Sequence, residues 1–311
     1  MEPTRPTSNF QVLFFIIILC FAAGLILAIV SFSLKNPQKE AKEFDESKQM
    51  LIAAKILSSE GYFELLQEDG TLQPASFDTQ KKILTPDSRK PPPLATEEDI
   101  KTVAKLRIRP LLTDAKGNLS TFSQKGIDLS TYREENKESG FGTAPDKLVY
   151  VILPNSSDDE KISEEDLIKD LTGAYAFVIP VSGFGLWAPI YGFIALFPGG
   201  DKVIGTTWYE QAETPGLGAN ISEPAWQKQF YGKLIFQPPT EGATDFQTAP
   251  MGIIVVKGRV KDIYGNSPRS KNAVDGMSGA TLTGDGVTAA YRNSLTPYRE
   301  FLIKMHNLSK K

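Results

Sequence analysis

The run Asp275-Gly276-Met277-Ser278-Gly279-Ala280-Thr281-Leu282-Thr283-Gly284-Asp285-Gly286-Val287 sets small residues around three hydroxyls, Ser278, Thr281 and Thr283. It stands directly before a stretch that reads as helix. A helix N-terminus presents free amides and a partial positive charge, which suits a phosphate. No Lys follows the glycines, so the run is not a nucleotide-hydrolysing phosphate loop. The same pattern fits an ordinary capped helix start, with Asp285 or Thr283 as the cap.

Two further segments serve neither strand nor helix. In Pro180-Val181-Ser182-Gly183-Phe184-Gly185-Leu186-Trp187-Ala188-Pro189, glycines beside Leu and Trp allow close backbone approach next to a flat apolar surface, or a tight turn with a core Trp. In Glu213-Thr214-Pro215-Gly216-Leu217-Gly218-Ala219, Pro-Gly marks a turn and the glycines free amides to face a ligand. The spacing is not that of a dinucleotide fingerprint. Glu213 suits ligand hydrogen bonding and helix capping equally.

Composition narrows the chemistry. The 311 residues carry Lys+Arg 34 against Asp+Glu 37, a net charge of -3, which gives no electrostatic case for nucleic acid. With Cys 1 and His 1, there is no intramolecular disulfide, no Cys-based metal site and no two-His site within this chain. Catalytic work is left to hydroxyls, carboxylates, backbone amides or a borrowed cofactor. Ser278 lacks a nearby histidine base, so it is not read as a nucleophile.

Several elements must position these segments. From Lys147 onward the chain reads as short strands, over residues 149–153, 174–179, 191–197, 202–209 and 252–257, each near Pro or Gly. A closing helix is expected from Val287 to about Leu308. Apolar spacing predicts a helix over residues 35–66, and Thr96 reads as the cap of a short helix at 97–106. Residues 67–96, with the run Pro91-Pro92-Pro93, read as loop-like and extended, within a Pro-containing variable insertion at 67–146. The fold class is α+β, with a mainly antiparallel sheet and flanking helices.

Between Pro6 and Leu34 no residue is charged. A membrane-crossing helix needs roughly 20 apolar residues, whereas a signal peptide has an apolar region of about 7–15. Residues 10–34 are therefore expected to form a single transmembrane helix behind a short tail at 1–9. Cys20 inside it reads as a packing residue. Arg5 precedes the span and Lys35, Lys39, Lys42 and Lys48 follow it, which by the positive-inside rule places the large domain in the cytoplasm.

Taken together, these segments resemble the NqrC family, one of the subunits of the sodium-translocating NADH:quinone oxidoreductase, the Nqr complex. The likeness rests on the anchor followed by Asn36-Pro37-Gln38-Lys39-Glu40-Ala41, on Gly185-Leu186-Trp187, on Tyr209-Glu210-Gln211-Ala212-Glu213-Thr214-Pro215-Gly216-Leu217-Gly218-Ala219, and on Val274 through Thr283. The resemblance implies a covalent-FMN-binding domain at 147–311. It implies FMN joined through its phosphate to Thr281 by a dedicated flavin transferase, with Ser278, Gly279, Ala280, Leu282 and Thr283 around it. By the same likeness Leu186, Trp187 and Leu217 lie against the ring, Glu213 and Thr214 hydrogen-bond its polar atoms, and Lys257 offsets negative charge. Phe184 departs from the family pattern, standing where a basic residue is expected.

The implied function is electron transfer between partner subunits of the complex. Those partners handle NADH, quinone and Na+. The implied location is the bacterial inner membrane with the flavin domain on the periplasmic side, against the Lys count. The FMN-carrying RnfG protein of an Rnf-type electron-transport complex and a non-redox membrane-anchored scaffold are the alternatives.

Overall fold

The computed structural model describes residues 9–310. Most of the tail expected at 1–9 therefore lies outside the described residues. The chain divides into two units, Met1–Glu46 and Ser47–Lys311. All described residues of the first belong to α1 (Asn9–Ala53), whose large apolar side chains from Phe10 to Leu34 are exposed. It is the one helix among the described residues long and apolar enough to cross a membrane. Pro37 is accommodated within it.

The helix expected over 35–66 stops at Ala53. Lys55 adopts φ 56°, and the chain reverses there. The Ile56 amide donates to the Leu51 carbonyl (2.9 Å) and the Lys55 amide to the Ile52 carbonyl (3.1 Å). This is the Schellman closure, with Leu51 and Ile56 both buried as its apolar pair. Glycine normally takes that left-handed position, so a Lys there gives no stop signal in sequence.

Residues that follow form an antiparallel three-stranded sheet, β1 (Phe63–Leu66), β2 (Leu72–Asp78) and β3 (Ile83–Pro86). Helix α2 (Glu97–Arg107) begins as predicted, with Thr96 Oγ1 accepting from the Asp99 amide at 3.1 Å. The main sheet contains β4 (Ile108–Thr113), β5 (Leu119–Ser120), β6 (Lys147–Ile152), β7 (Ala176–Phe184), β8 (Pro189–Leu196) and β9 (Val203–Glu210). Its order is β5-β4-β6-β7-β8-β9 and every pairing is antiparallel.

The loop-like reading of 67–96 is corrected by β2 and β3, and regular elements run on through the wider segment 67–146. That segment supplies β2, β3, β4 and β5, together with α2, α3 (Phe122–Lys125) and α4 (Leu129–Asn136). Strand β4 pairs with β6 along its whole length, from Ile108↔Ile152 to Thr113↔Lys147. Its other edge meets β5 only at Leu112 and Thr113. Pro110 therefore sits where one edge lacks a strand partner, the place a missing N–H is tolerated.

Beyond β6 come α5 (Glu164–Lys169), then, after β9, α6 (Pro224–Gln227), β10 (Ile254–Val255), α7 (Val260–Tyr264) and β11 (Ala273–Val274). β10 and β11 pair in parallel. The closing helix expected over 287–308 is two helices, α8 (Thr281–Leu295) and α9 (Arg299–Leu308), separated by a 3-10 turn containing Pro297. Val287, Ala290, Tyr291 and Leu295 of α8 join Phe177, Ile179, Val181, Ile194 and Trp208 of the sheet in one buried cluster. This places the start of α8 beside the β7–β8 turn, and the two form the site.

Candidate functional site

Helix α8 opens at Thr281, and no side chain caps it. Its first amides have no intrahelical acceptor and face outward with the positive end of the helix dipole. Of the three hydroxyls in this run, Ser278 and Thr281 are exposed. Thr283 is 1% exposed, and its Oγ1 donates to Glu213 Oε2 at 2.5 Å. Two helical residues differ by about 200° in direction, which turns one threonine outward and the other inward.

An open pocket of ≈ 520 Å³ lies over this helix start, lined by Ser278, Thr281, Gly284, Lys257 and Arg259 among others. Its cationic wall is fixed by backbone pairing. The Val256 amide donates to the Val274 carbonyl (3.0 Å) and the Gly276 amide to the Gly258 carbonyl (2.8 Å). Asp275 Oδ1 accepts from the Val260 amide (2.7 Å), while its own amide and carbonyl bond Gln229 Oε1 and Trp226 Nε1, each at 3.0 Å. Buried Asn272 donates through Nδ2 to the carbonyls of Leu234 and Gly252, both at 2.6 Å.

Lys257 Nζ is 3.4 Å from Asp285 Oδ2, with both side chains exposed. Sequence reasoning singled out Lys257 and passed over Arg259. Arg259 reaches the pocket past a bend at Lys257-Gly258, where Gly258 takes φ 120° and its amide donates to the Val256 carbonyl at 3.1 Å, so no sequence periodicity marked it. Asp285 is not a cap, since it stands in the second turn of α8.

The second half of the site is apolar. The β7–β8 turn holds Leu186 and Trp187, closed by the Gly185 amide donating to the Ala188 carbonyl at 2.9 Å. Trp187 is 65% exposed, and Phe184, Leu186, Leu217 and Leu282 are also exposed. The Trp187 ring is oriented by its Nε1, which donates to Thr214 Oγ1 at 3.2 Å. Leu217 Cδ2 lies 3.0 Å from where a Cβ on Gly279 would stand, so the Pro-Gly loop touches the helix-start loop.

Glu213 is placed differently from the expectation. It is 5% exposed, and its carboxylate is engaged by the chain itself. Oε1 accepts from the amides of Leu186 (2.9 Å) and Trp187 (3.0 Å), and Oε2 accepts from Thr283. Burial pushes its pKa up, but the Thr283 hydroxyl and the Trp187, Leu186 and Ala188 amides outweigh this and hold it below the ordinary value. Trp208 and Trp226 are buried packing residues. His306 packs its ring on Phe246 at 4.2 Å, with Nδ1 3.7 Å from Asp201 Oδ2.

The comparisons with known proteins bear on this geometry. Residues 185–296 match the family of the FMN-binding domain. The chain is 41% identical over 312 residues to NqrC of the Na(+)-translocating NADH-quinone reductase of Chlamydia caviae, covering 100% of this chain and 97% of that protein. With the corresponding protein of Chlamydia pneumoniae the identity is 43% over 305 residues, covering 98% and 95%. The chain belongs to the NqrC family of Na(+)-translocating NADH-quinone reductase subunits. A crystal structure of the NqrC protein from Parabacteroides distasonis shares 26% identity at a TM-score of 0.46, over 68% of this chain and 85% of that one.

Within this NqrC family member, every candidate residue from Leu186 to Thr283 falls inside the matched FMN-binding span. Phe184 stands one residue outside it. The β2–β5 region at 67–146 lies within the full-length match to the Chlamydia caviae protein.

Proposed function

We propose that this chain is the flavin-carrying electron-transfer subunit of a membrane Na+-translocating NADH:quinone reductase, with FMN joined through its phosphate to Thr281. The observation that carries this reading is the position of Thr281: an exposed hydroxyl at the uncapped start of a 15-residue helix, on a pocket walled by Lys257 and Arg259. Free amides and two cations suit a phosphate, and the exposed Trp187, Leu186 and Leu217 beside them suit a flat apolar ring system. The residues present therefore fit FMN.

The chain's own residues have separable tasks. Thr281 supplies the ester oxygen, with Ser278 and the amides of Leu282 and Thr283 around the phosphate. Gly279 and Ala280 keep side-chain bulk away from it. Lys257 and Arg259 offset its charge. Leu186, Trp187 and Leu217 exclude water from one face of the ring, and Thr214 retains an O–H to donate. When bound, the flavin supplies the electron storage that these side chains lack, and the protein tunes it by burial, charge and hydrogen bonding.

Residues 10–34 anchor the protein as a single-pass helix in the inner membrane, with the flavin domain on the periplasmic side where a flavin transferase loads it. With no dinucleotide fingerprint in the sequence, NADH, quinone and Na+ are handled by the other subunits. The test is expression beside a flavin transferase, followed by flavin fluorescence on a denaturing gel. A fluorescent band that vanishes in Thr281→Ala supports the assignment. A dark wild-type band, with the transferase active on another substrate, sinks the covalent claim.

A further inference from the structure

We infer that Glu213 is the positioning residue that fixes the apolar ring platform to the attachment helix, and that its buried charge lowers the reduction potential of the flavin. The inference rests on the function proposed above. A single carboxylate joins three separate pieces of chain. Oε1 holds two successive amides of the β7–β8 turn, those of Leu186 and Trp187, and Oε2 holds the hydroxyl of Thr283 in the first turn of α8. Glu213 itself belongs to the Pro-Gly loop that contributes Thr214 and Leu217, and its amide donates to Gln211 Oε1 at 2.6 Å.

The surroundings of the carboxylate are closed. A Cβ on Gly185 would stand 2.4 Å from Oε1, and one on Gly218 would stand 2.7 Å from Oε2 and 2.5 Å from Thr283 Oγ1. Backbone thus packs on the carboxylate from two sides, and no side chain is admitted between them. Among the described residues no Lys, Arg or His pairs with it. Its charge is balanced by hydrogen-bond donors alone, which are aligned toward it and cannot leave.

These facts have a consequence for a cofactor held only through its phosphate. A phosphoester at Thr281 fixes one end of the flavin, and the flexible linker leaves the ring free to swing. The ring platform must therefore be rigidly registered to Thr281, and the two threonines of one helical turn supply that register. Thr281 carries the tether outward, while Thr283 reaches inward to the carboxylate that holds the platform. The donors stabilise the carboxylate without cancelling it, so one net negative charge with no paired cation lies under Leu186 and Trp187, where the ring is proposed to lie. Negative charge beside a group that gains electrons disfavours their arrival.

The experiment uses the full chain expressed with its flavin transferase, as wild type, Glu213→Gln and Thr283→Val. Attachment is read by in-gel fluorescence, ring placement by the visible circular dichroism of the bound flavin, and the potential by redox titration. The expected result is a fluorescent band in all three. Glu213→Gln moves the potential positive and changes the visible dichroism. Thr283→Val, which keeps the charge and the backbone amide and removes one tether, changes the dichroism and moves the potential less than Glu213→Gln does. Wild-type dichroism and potential in Glu213→Gln overturn the inference. If that variant fails to fold, unchanged visible dichroism in Thr283→Val overturns it instead. A dark wild-type band defeats the covalent reading beneath it, and is told apart because no variant is then needed.

Discussion

Gly286 of α8 passes so close to Phe184 of β7 that a Cβ on it would stand 2.2 Å from the Phe184 carbonyl oxygen. The atom in the way is backbone, which cannot rotate aside. Replacing Gly by Ala in a helix ordinarily gains about 0.5–1 kcal/mol. Overpacking a closed contact costs about 1–3 kcal/mol. Gly286→Ala is therefore expected to lose about 1–2 kcal/mol, lowering Tm by roughly 2–8 °C. A calorimetric scan showing a raised Tm contradicts this.

Asn272 binds the carbonyls of Leu234 and Gly252 from a buried position and so ties the β10–β11 scaffold to its surroundings. Asn272→Ala leaves both acceptors without that donor, a loss of about 2–4 kcal/mol. Urea unfolding should show a lower midpoint at unchanged slope. A midpoint within error of wild type means that another donor reaches those carbonyls.

Lys257 and Asp285 are both exposed, so their pair adds less than about 1 kcal/mol to stability. Lys257→Ala should leave Tm almost unmoved while cutting flavin incorporation roughly two- to fivefold, the factor a screened charge contact of about 0.5–1 kcal/mol gives. Arg259→Gln should behave alike, and Asp285→Asn should move incorporation the other way. Raising the salt must shrink all three effects. Salt-independent effects would point to shape rather than charge.

Glu213 makes the acid limb of stability steeper. Its folded pKa lies below the ordinary value of about 4.3, because its donors favour the ionised form over the cost of burial. The stabilisation is complete above that ordinary value and is lost as pH falls through the lower folded one. Between about pH 5 and pH 3 the wild type should lose more Tm than Glu213→Gln. Parallel curves for the two proteins would show that the carboxylate does not titrate with folding.

Much of the site was legible because its constraints are local in sequence. The run Ser278 to Thr283 carries small residues and hydroxyls in one stretch, the anchor is a continuous apolar run, and the strands β6 to β8 are rich in apolar residues. What was hidden depends on distant pairing. β4 contains Arg109 and Pro110 and reads as no strand until β6 lies beside it. The end of α1 falls at a Lys in a glycine conformation. Glu213 read as a ligand contact since nothing in its neighbourhood announces that its partners lie at residues 186, 187 and 283. Lys257 was visible by likeness, whereas Arg259 joins the pocket only through the bend at Gly258.

The opposite facings of Thr281 and Thr283 also bear on the order of maturation. The inward face of α8 is completed by Thr283, Val287, Ala290, Tyr291 and Leu295, all buried, and Thr281 is no part of it. Closure of the interior therefore does not wait for the modification. On the function proposed above, the transferase would meet a finished surface, and loading would be a late step performed on a folded client. Defects in loading and defects in folding should then sort to different faces of one helix turn.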